Sequence, residues 1–99
     1  MDISRDDFLK HVGTEFRVNP GNDADPVKLE LASVTPIPRS GVGTRDDPFS
    51  AEFHGAEGLV LTQRIYSFDH AELGTLEIFI VPIGPDPKTG RMRYEAIFN

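Results

Sequence analysis

Histidine and aspartate side chains are the groups of this sequence best suited to bind a metal ion or transfer a proton. His54 ends one strand-like segment, and His70 follows Asp69 at the end of another. Two imidazoles and a carboxylate can form a transition-metal site. If the two segments run antiparallel, however, the histidines lie about 26 Å apart, at ~3.3 Å per residue. We therefore interpret His70 as a turn residue held by local hydrogen bonds, and we predict no metal site.

Acidic and glycine-rich segments offer weaker candidates for ligand binding. Asp46 and Asp47 form one acidic pair and segment 22–25 forms another cluster, but calcium and magnesium sites need about six oxygens in a defined order. Segment 40–45 contains glycines that could cradle a phosphate, but it lacks the complete Gly-x-Gly-x-x-Gly spacing and a following helix. We interpret all three segments as solvated turns and loops, and we predict no cofactor.

Nucleophilic catalysis also lacks a recognisable set of residues. The chain has no cysteine, which excludes thiolate catalysis, disulfides and cysteine-bound metals. It contains no Gly-x-Ser-x-Gly segment that would expose a serine nucleophile. Tyr66 and Tyr94 lie on apolar faces of their segments, where a hydroxyl usually bonds to the backbone at the edge of the core. We therefore predict that the protein is not an enzyme.

The length of 99 residues and the net charge of −6 restrict the architecture and the partners. A chain of this length buries one modest core, so we predict a single domain over residues 1–99. Its basic residues form no cluster, which argues against binding to nucleic acid or to an anionic membrane. No apolar run approaches the roughly 20 residues of a membrane span. The acidic start differs from a signal peptide, so we expect a cytoplasmic protein.

A short helix and several strands must position these residues. Ser4 and Asp7 are typical of a helix N-terminus and Gly13 of a helix stop, which predicts a helix over 3–12. His11 then lies near the C-terminal end of the helix, where the dipole is negative. The apolar stripe of that helix comprises Phe8, Leu9 and Val12. Alternating polarity predicts strands over 14–18, 27–35, 49–54, 63–68, 76–83 and 91–98. The fold class that follows is mainly β: a small antiparallel sandwich or partly open barrel of about six strands with one short N-terminal helix.

The last third of the chain, 74–99, reads as a long β-hairpin. Apolar residues occupy both faces of segment 76–83, so we predict a strand buried on both sides, with the helix or a second sheet layer covering its outer face. The returning strand ends on Ile97 and Phe98. Because chain ends usually fray unless they are tied into the structure, we predict that these two residues help to close the core.

A second loop, over residues 36–48, is long for so small a domain. Thirteen residues without predicted structure are usually functional. We predict a partner-binding loop whose candidate contact residues are Arg39, Val42, Thr44, Arg45, Asp46 and Asp47.

Three segments carry a resemblance to a known family, and one of them is Phe-Ile-Val-Pro-Ile-Gly at 79–84. Residues 63–74 contain Gln-x-x-Tyr-x-x-x-His-x-x-Leu-Gly, and the chain ends in Tyr-Glu-Ala-Ile-Phe-Asn. Over residues 49–99 the sequence resembles an uncharacterised family of short bacterial proteins, a domain of unknown function whose members share the pattern of residues 63–74 and end in Tyr-Glu-Ala-Val-Phe-Asn or close to it. The resemblance implies no activity. It implies accessory components encoded near phage-tail-like proteins.

Two functions are compatible with these features. The first is a non-catalytic protein-interaction or accessory structural module, which binds another protein through loop 36–48 or an exposed sheet edge. The alternative is a small-ligand-binding β-barrel whose cavity is lined by Phe49, Phe53, Tyr66 and Phe68. Because small barrels usually fill their interior with side chains, the interaction module is the preferred hypothesis.

Overall fold

Six antiparallel strands and one short helix make up the computed structural model of this chain, which describes residues 3–21, 23–38 and 45–99. The elements are α1 (Arg5–Leu9), β1 (Glu15–Asn19), β2 (Val27–Pro36), β3 (Phe49–Glu57), β4 (Arg64–His70), β5 (Gly74–Pro85) and β6 (Arg91–Phe98). The strands close into a barrel in the order β1-β2-β3-β6-β5-β4. The predicted mainly β, antiparallel fold with an N-terminal helix is confirmed, and of the two architectures left open the barrel is the one observed.

The helix begins as predicted but is shorter. The Ser4 hydroxyl accepts the Asp7 N–H at 3.1 Å, and the Asp7 carboxylate accepts the Ser4 N–H at 3.2 Å, which completes a capping box. The helix stops after five residues. Beyond it, the His11 carbonyl accepts the Thr14 hydroxyl at 2.6 Å, and Gly13 adopts a φ of 92° that leads the chain into β1.

Phe8 is the side chain through which α1 closes one end of the barrel. Its fully buried ring lies 5.4 Å from Phe49 and 5.3 Å from Phe98, measured between ring centroids. The predicted apolar stripe is wrong for Leu9 and Val12, which are 46% and 43% exposed. So short a helix presents one residue, Phe8, to the core, and the chain after it already turns toward β1.

Packed rings fill the interior of the barrel. The Phe53 ring lies 5.4 Å from Phe16 and 5.1 Å from Phe68. Each of these three side chains is fully buried. The ligand-binding alternative requires a cavity lined by Phe49, Phe53, Tyr66 and Phe68. Those residues instead belong to one hydrophobic cluster, so that alternative is not supported.

The prediction that segment 76–83 is buried on both sides is wrong. Ile78 and Ile80 of β5 are buried, but Phe79 between them is 48% exposed. In a closed barrel one face of each strand points inward and the other points outward. The helix covers an end of the barrel, where it packs on Phe49 and Phe98, and leaves the outer face of Phe79 open.

The prediction that Ile97 and Phe98 help to close the core is confirmed for Phe98 and wrong for Ile97. Phe98 stacks on Phe49 with ring centroids 4.6 Å apart and planes inclined by 14°. Ile97, the residue before it, points outward and is 49% exposed. Phe98 therefore helps to close the core, whereas Ile97 does not. Within the described ranges, no helix is long and apolar enough to cross a bilayer.

Candidate functional site

Three exposed apolar side chains stand on the outer faces of three neighbouring strands. Ile65 of β4 is directly opposite Phe79 of β5. Ile97 of β6 lies two residues beyond Glu95, the residue opposite Val81 of β5. Ile65, Phe79 and Ile97 are 61%, 48% and 49% exposed. We call this line of side chains the apolar row.

The β5–β6 ladder is open where the apolar row crosses it. The paired residues run from Pro85 and Met92 to Val81 and Glu95. The last residues of β6, including Ile97 and Phe98, pair with β3. Between the parts of β5 and β6 that the structure describes, no pair joins these last residues to Phe79 or its neighbours. The row therefore spans a splayed part of the barrel wall.

A groove of about 330 Å³ lies beside this opening. Its walls include Ile3 and Phe8 from the N-terminal segment, Leu76 and Glu77 from β5, and Phe98 from β6. Arg45 lies at the same groove, with its guanidinium 5.9 Å from the centroid of Phe98. A cation over a ring face is a favourable contact, so Arg45 stabilises the aromatic end of the barrel.

The structure describes part of the predicted partner-binding loop. Asp47 accepts the Arg5 N–H at 2.8 Å, and its carboxylate lies 3.5 Å from the Arg45 guanidinium. The hydrogen bond from Arg5, followed by the charge of Arg45, holds the pKa of the Asp47 carboxyl below its usual range. Arg45 also donates to the carbonyl of Ile3. These contacts join the end of the loop to the start of α1.

The remaining candidates of the predicted loop are Asp46 and three residues of segment 39–44. Asp46 is exposed on the surface. Arg39, Val42 and Thr44 lie outside the residues that the structure describes.

Glutamates border the apolar row on two sides. Glu77 stands two residues before Phe79 on the same face of β5, opposite Ser67 of β4. Glu95 precedes Ile97 by two residues on the outer face of β6 and accepts the Ser50 hydroxyl at 3.2 Å. Within the described part of the chain, no ion pair neutralises either carboxylate.

His70 is a buried structural group rather than an exposed base. Its Nδ1 accepts the N–H groups of Glu72 at 3.0 Å and Leu73 at 3.2 Å, so the proton of the neutral ring lies on Nε2. Nε2 then donates to the Thr14 hydroxyl at 2.9 Å. The predicted role in a turn, through local hydrogen bonds, is confirmed. Both ring nitrogens are occupied, which leaves none to exchange a proton with a substrate.

Burial of the imidazole shifts its protonation as well. Desolvation first, and then the nearby His11, hold the pKa of His70 below its usual range, with Glu72 acting in the opposite direction. The His11 and His70 rings meet edge-on at 4.7 Å, and His11 Nε2 lies 3.4 Å from the Glu72 carboxylate. The sequence predicts His11 at a helix end, and nothing in its local spacing indicates a contact with His70.

His54 lies on the outer face of β3, on a different wall. Its Nε2 is 2.6 Å from the Glu52 carboxylate two residues earlier. Glu52 is the neighbour of Glu95 across the β3–β6 ladder. Among the residues that the structure describes, no three His, Asp or Glu side chains are arranged to hold a metal ion.

Both tyrosine hydroxyls bond to the backbone at the edge of the core, as predicted. The Tyr94 hydroxyl donates to the Leu59 carbonyl at 2.8 Å and accepts the Leu61 N–H at 3.0 Å. The Tyr66 hydroxyl donates to the Thr62 carbonyl at 2.9 Å. The two tyrosines therefore anchor the connection between β3 and β4.

A second groove, of about 340 Å³, lies between β1 and β4. Phe16 and His70 are at its base, and the exposed charged residues Glu15, Arg17, Lys28 and Asp69 border it. Arg17 and Asp69 are opposite each other in the β1–β4 ladder, so opposite charges face each other across the groove. The local charges balance here, in contrast to the border of the apolar row.

Comparison with known proteins identifies a family to which the chain is similar. A family described as a domain of unknown function (DUF6916) matches residues 3–98. No curated protein matches the chain. No solved structure matches it either.

Proposed function

This chain belongs to the DUF6916 domain family, and we propose that it is a non-catalytic protein-interaction module that binds a partner through the apolar row. The carrying observation is that Ile65, Phe79 and Ile97, each about half exposed or more, stand on the outer faces of neighbouring strands, with Ile65 directly opposite Phe79. Single exposed apolar residues are ordinary, but a contiguous group bordered by polar residues is typical of a docking surface. The partner we propose is another protein, acting with this one in the cytoplasm.

The chemistry of the polar groups supports a role without catalysis. His70 has both ring nitrogens hydrogen-bonded, and the tyrosine hydroxyls hold backbone groups. The motif residues therefore serve the barrel, which fits an accessory structural module whose outer face does the binding. Phage-tail-like assembly components, which the family resemblance implies, are the first partner class to examine.

The test compares variants of the tagged full-length chain as bait in extract from the source cells. Phe79→Ser and Ile97→Ser remove apolar area from the row. Val60→Ser is the matched control, because Val60 is 73% exposed and lies in the β3–β4 connection, outside the row. We expect one specific protein to be recovered with wild type and Val60→Ser, and to fall about tenfold or more with the row variants.

Exposed substitutions change stability by only about 0.5 kcal/mol, so denaturation midpoints will show that the variants remain folded. Equal recovery with wild type and both row variants would exclude the row as the interface.

The hypothesis that loop 36–48 binds the partner is tested with a separate variant. Residues 39–44 are replaced by glycine and serine, while Arg45 and Asp47 are kept because they bond to the N-terminal segment. Loss of the partner with this variant alone would assign the interface to loop 36–48 instead of the apolar row. Loss with the row variants alone would assign it to the row.

A further inference from the structure

We infer that the apolar row receives a basic amphipathic helix: a partner segment whose apolar stripe is flanked on both sides by lysine or arginine. The inference rests on the proposed function and adds the chemistry of the partner. It follows from two features of the surface, the charge on both sides of the row and the spacing of the side chains along it.

Charge comes first. Glu77 borders the row on one side and Glu95 on the other, and within the described residues neither forms an ion pair. A further acid, Glu52, lies next to Glu95 across the β3–β6 ladder. An apolar line between two acidic borders is complementary to an apolar line between two basic ones.

Arg93 is the nearest basic residue along β6, and it does not neutralise the negative charge beside the apolar row. It lies two residues before Glu95, on the side away from Ile97. Its guanidinium donates to the carbonyls of Gly84 at 3.3 Å and Ile83 at 3.4 Å. Arg93 is therefore engaged at the bulge of the β5–β6 ladder, and Glu95 remains the charged group closest to Ile97.

Spacing distinguishes a helix from an extended partner. Ile65 and Phe79 are directly opposite each other on paired strands, and paired strands are about 4.8 Å apart. Along a helix, residues i and i+3 or i+4 are separated by about 4.5–6 Å of rise. Along an extended strand, residues i and i+2 on one face are about 6.6 Å apart. The helical repeat matches the spacing of the Ile65–Phe79 pair more closely.

Two synthetic peptides of about 14 residues are suitable probes, since a helix of that length spans about 21 Å. Both carry leucine at i, i+3, i+4 and i+7, flanked by lysine in one peptide and by glutamate in the other. Binding to the full-length protein is measured by fluorescence anisotropy. We expect the lysine peptide to bind at least about tenfold more tightly than the glutamate peptide. We expect its affinity to fall as salt screens the charges.

Charge-reversal variants localise that preference. Glu77→Lys with Glu95→Lys is expected to weaken the lysine peptide about tenfold. Asp25→Lys with Glu57→Lys is the matched control, because it changes the net charge equally at exposed acids outside the row. Equal loss in both doubles would mean attraction to net charge alone and would overturn the inference. So would no binding of the lysine peptide, or equal binding of the two peptides.

The outcomes separate this inference from the proposed function. If Phe79→Ser abolishes partner capture but the Glu77/Glu95 reversal changes neither partner capture nor peptide affinity, the partner surface stands and the basic helix is wrong. If Phe79→Ser changes nothing, the proposed function fails first. If sedimentation shows a dimer that Phe79→Ser dissociates, a second copy of the chain occupies the row, and the basic helix is again wrong.

Discussion

The ring of His70 and the hydroxyl of Thr14 lie 2.9 Å apart, although 56 positions separate them in the sequence. Thr14 also donates to the His11 carbonyl at 2.6 Å, in the turn between α1 and β1. His70 in turn holds the N–H groups of the β4–β5 turn. One neutral imidazole thus joins two turns that are distant in the chain, which gives His70 a structural role.

That arrangement predicts a pH dependence of stability. The pKa of His70 in the folded protein lies below the ordinary value of 6.5. The unfolded chain therefore takes up the proton first as the pH falls, and the free energy of unfolding decreases. Stability contributed by His70 is fully present above about pH 6.5 and is lost as the pH falls below it and through the folded-state pKa. Urea denaturation between about pH 7.5 and 5 measures this decrease.

His70→Gln is the control for the pH series. A buried polar group that loses its partner costs about 1–3 kcal/mol, so we expect this variant to be about 2 kcal/mol less stable at neutral pH. Its stability should vary less with pH than that of the wild type over the same range. An unchanged slope in His70→Gln would show that another group carries the pH dependence.

Tyr94→Phe tests the anchoring of the β3–β4 connection. The hydroxyl bonds both to the Leu59 carbonyl and to the Leu61 N–H. We expect a loss of about 1–2 kcal/mol and faster amide hydrogen exchange at Leu61. Tyr66→Phe is the comparison and should cost less, because the Tyr66 hydroxyl donates to the Thr62 carbonyl and its second contact, with the Thr62 hydroxyl, is long at 3.4 Å. A larger loss for Tyr66→Phe would contradict this ranking.

Much of the barrel is predictable because its signals are local. The alternation of apolar residues identifies the strands, and the Ser4–Asp7 pair identifies the start of α1. The tyrosine hydroxyls were predictable in kind, since a buried hydroxyl at the edge of a core needs a backbone partner. Their particular partners, Leu59 and Thr62, depend on how the β3–β4 connection folds back over the barrel, which no spacing encodes.

The apolar row was not predictable from the sequence. Apolar residues on both faces of a strand normally mean burial on both faces, and Phe79 has the same character whether it is covered or exposed. Its exposure depends on closure of the barrel, which turns that face outward, and its neighbour on the surface depends on the β4–β5 register, which places Ile65 opposite it. The contact of His11 with His70 was missed for a similar reason, because it joins distant segments.

Gly55→Ala tests the packing on the inner face of β3, where Gly55 is buried. A Cβ at this position would lie 2.7 Å from Leu29 Cδ2 and 2.9 Å from Leu59 Cδ2, so both leucine side chains must move. We expect a loss of about 1–2 kcal/mol in chemical denaturation. Leu29→Val removes the closest atom, so the alanine should cost less in that background than in wild type. Additive losses in the double variant would show that this contact is not the cause.

Phe98 and Ile97 provide the sharpest comparison, because neighbours on one strand point to opposite faces. Phe98 stacks on Phe49 at 4.6 Å and meets Phe8 at 5.3 Å, whereas Ile97 is 49% exposed. We expect Phe98→Ala to cost about 2–3 kcal/mol and to loosen the contact of α1 with the barrel. Ile97→Ser should stay within about 0.5 kcal/mol of wild type in urea denaturation. Comparable losses for the two variants would mean that Ile97 is part of the core, and the apolar row would then lose one of its three members.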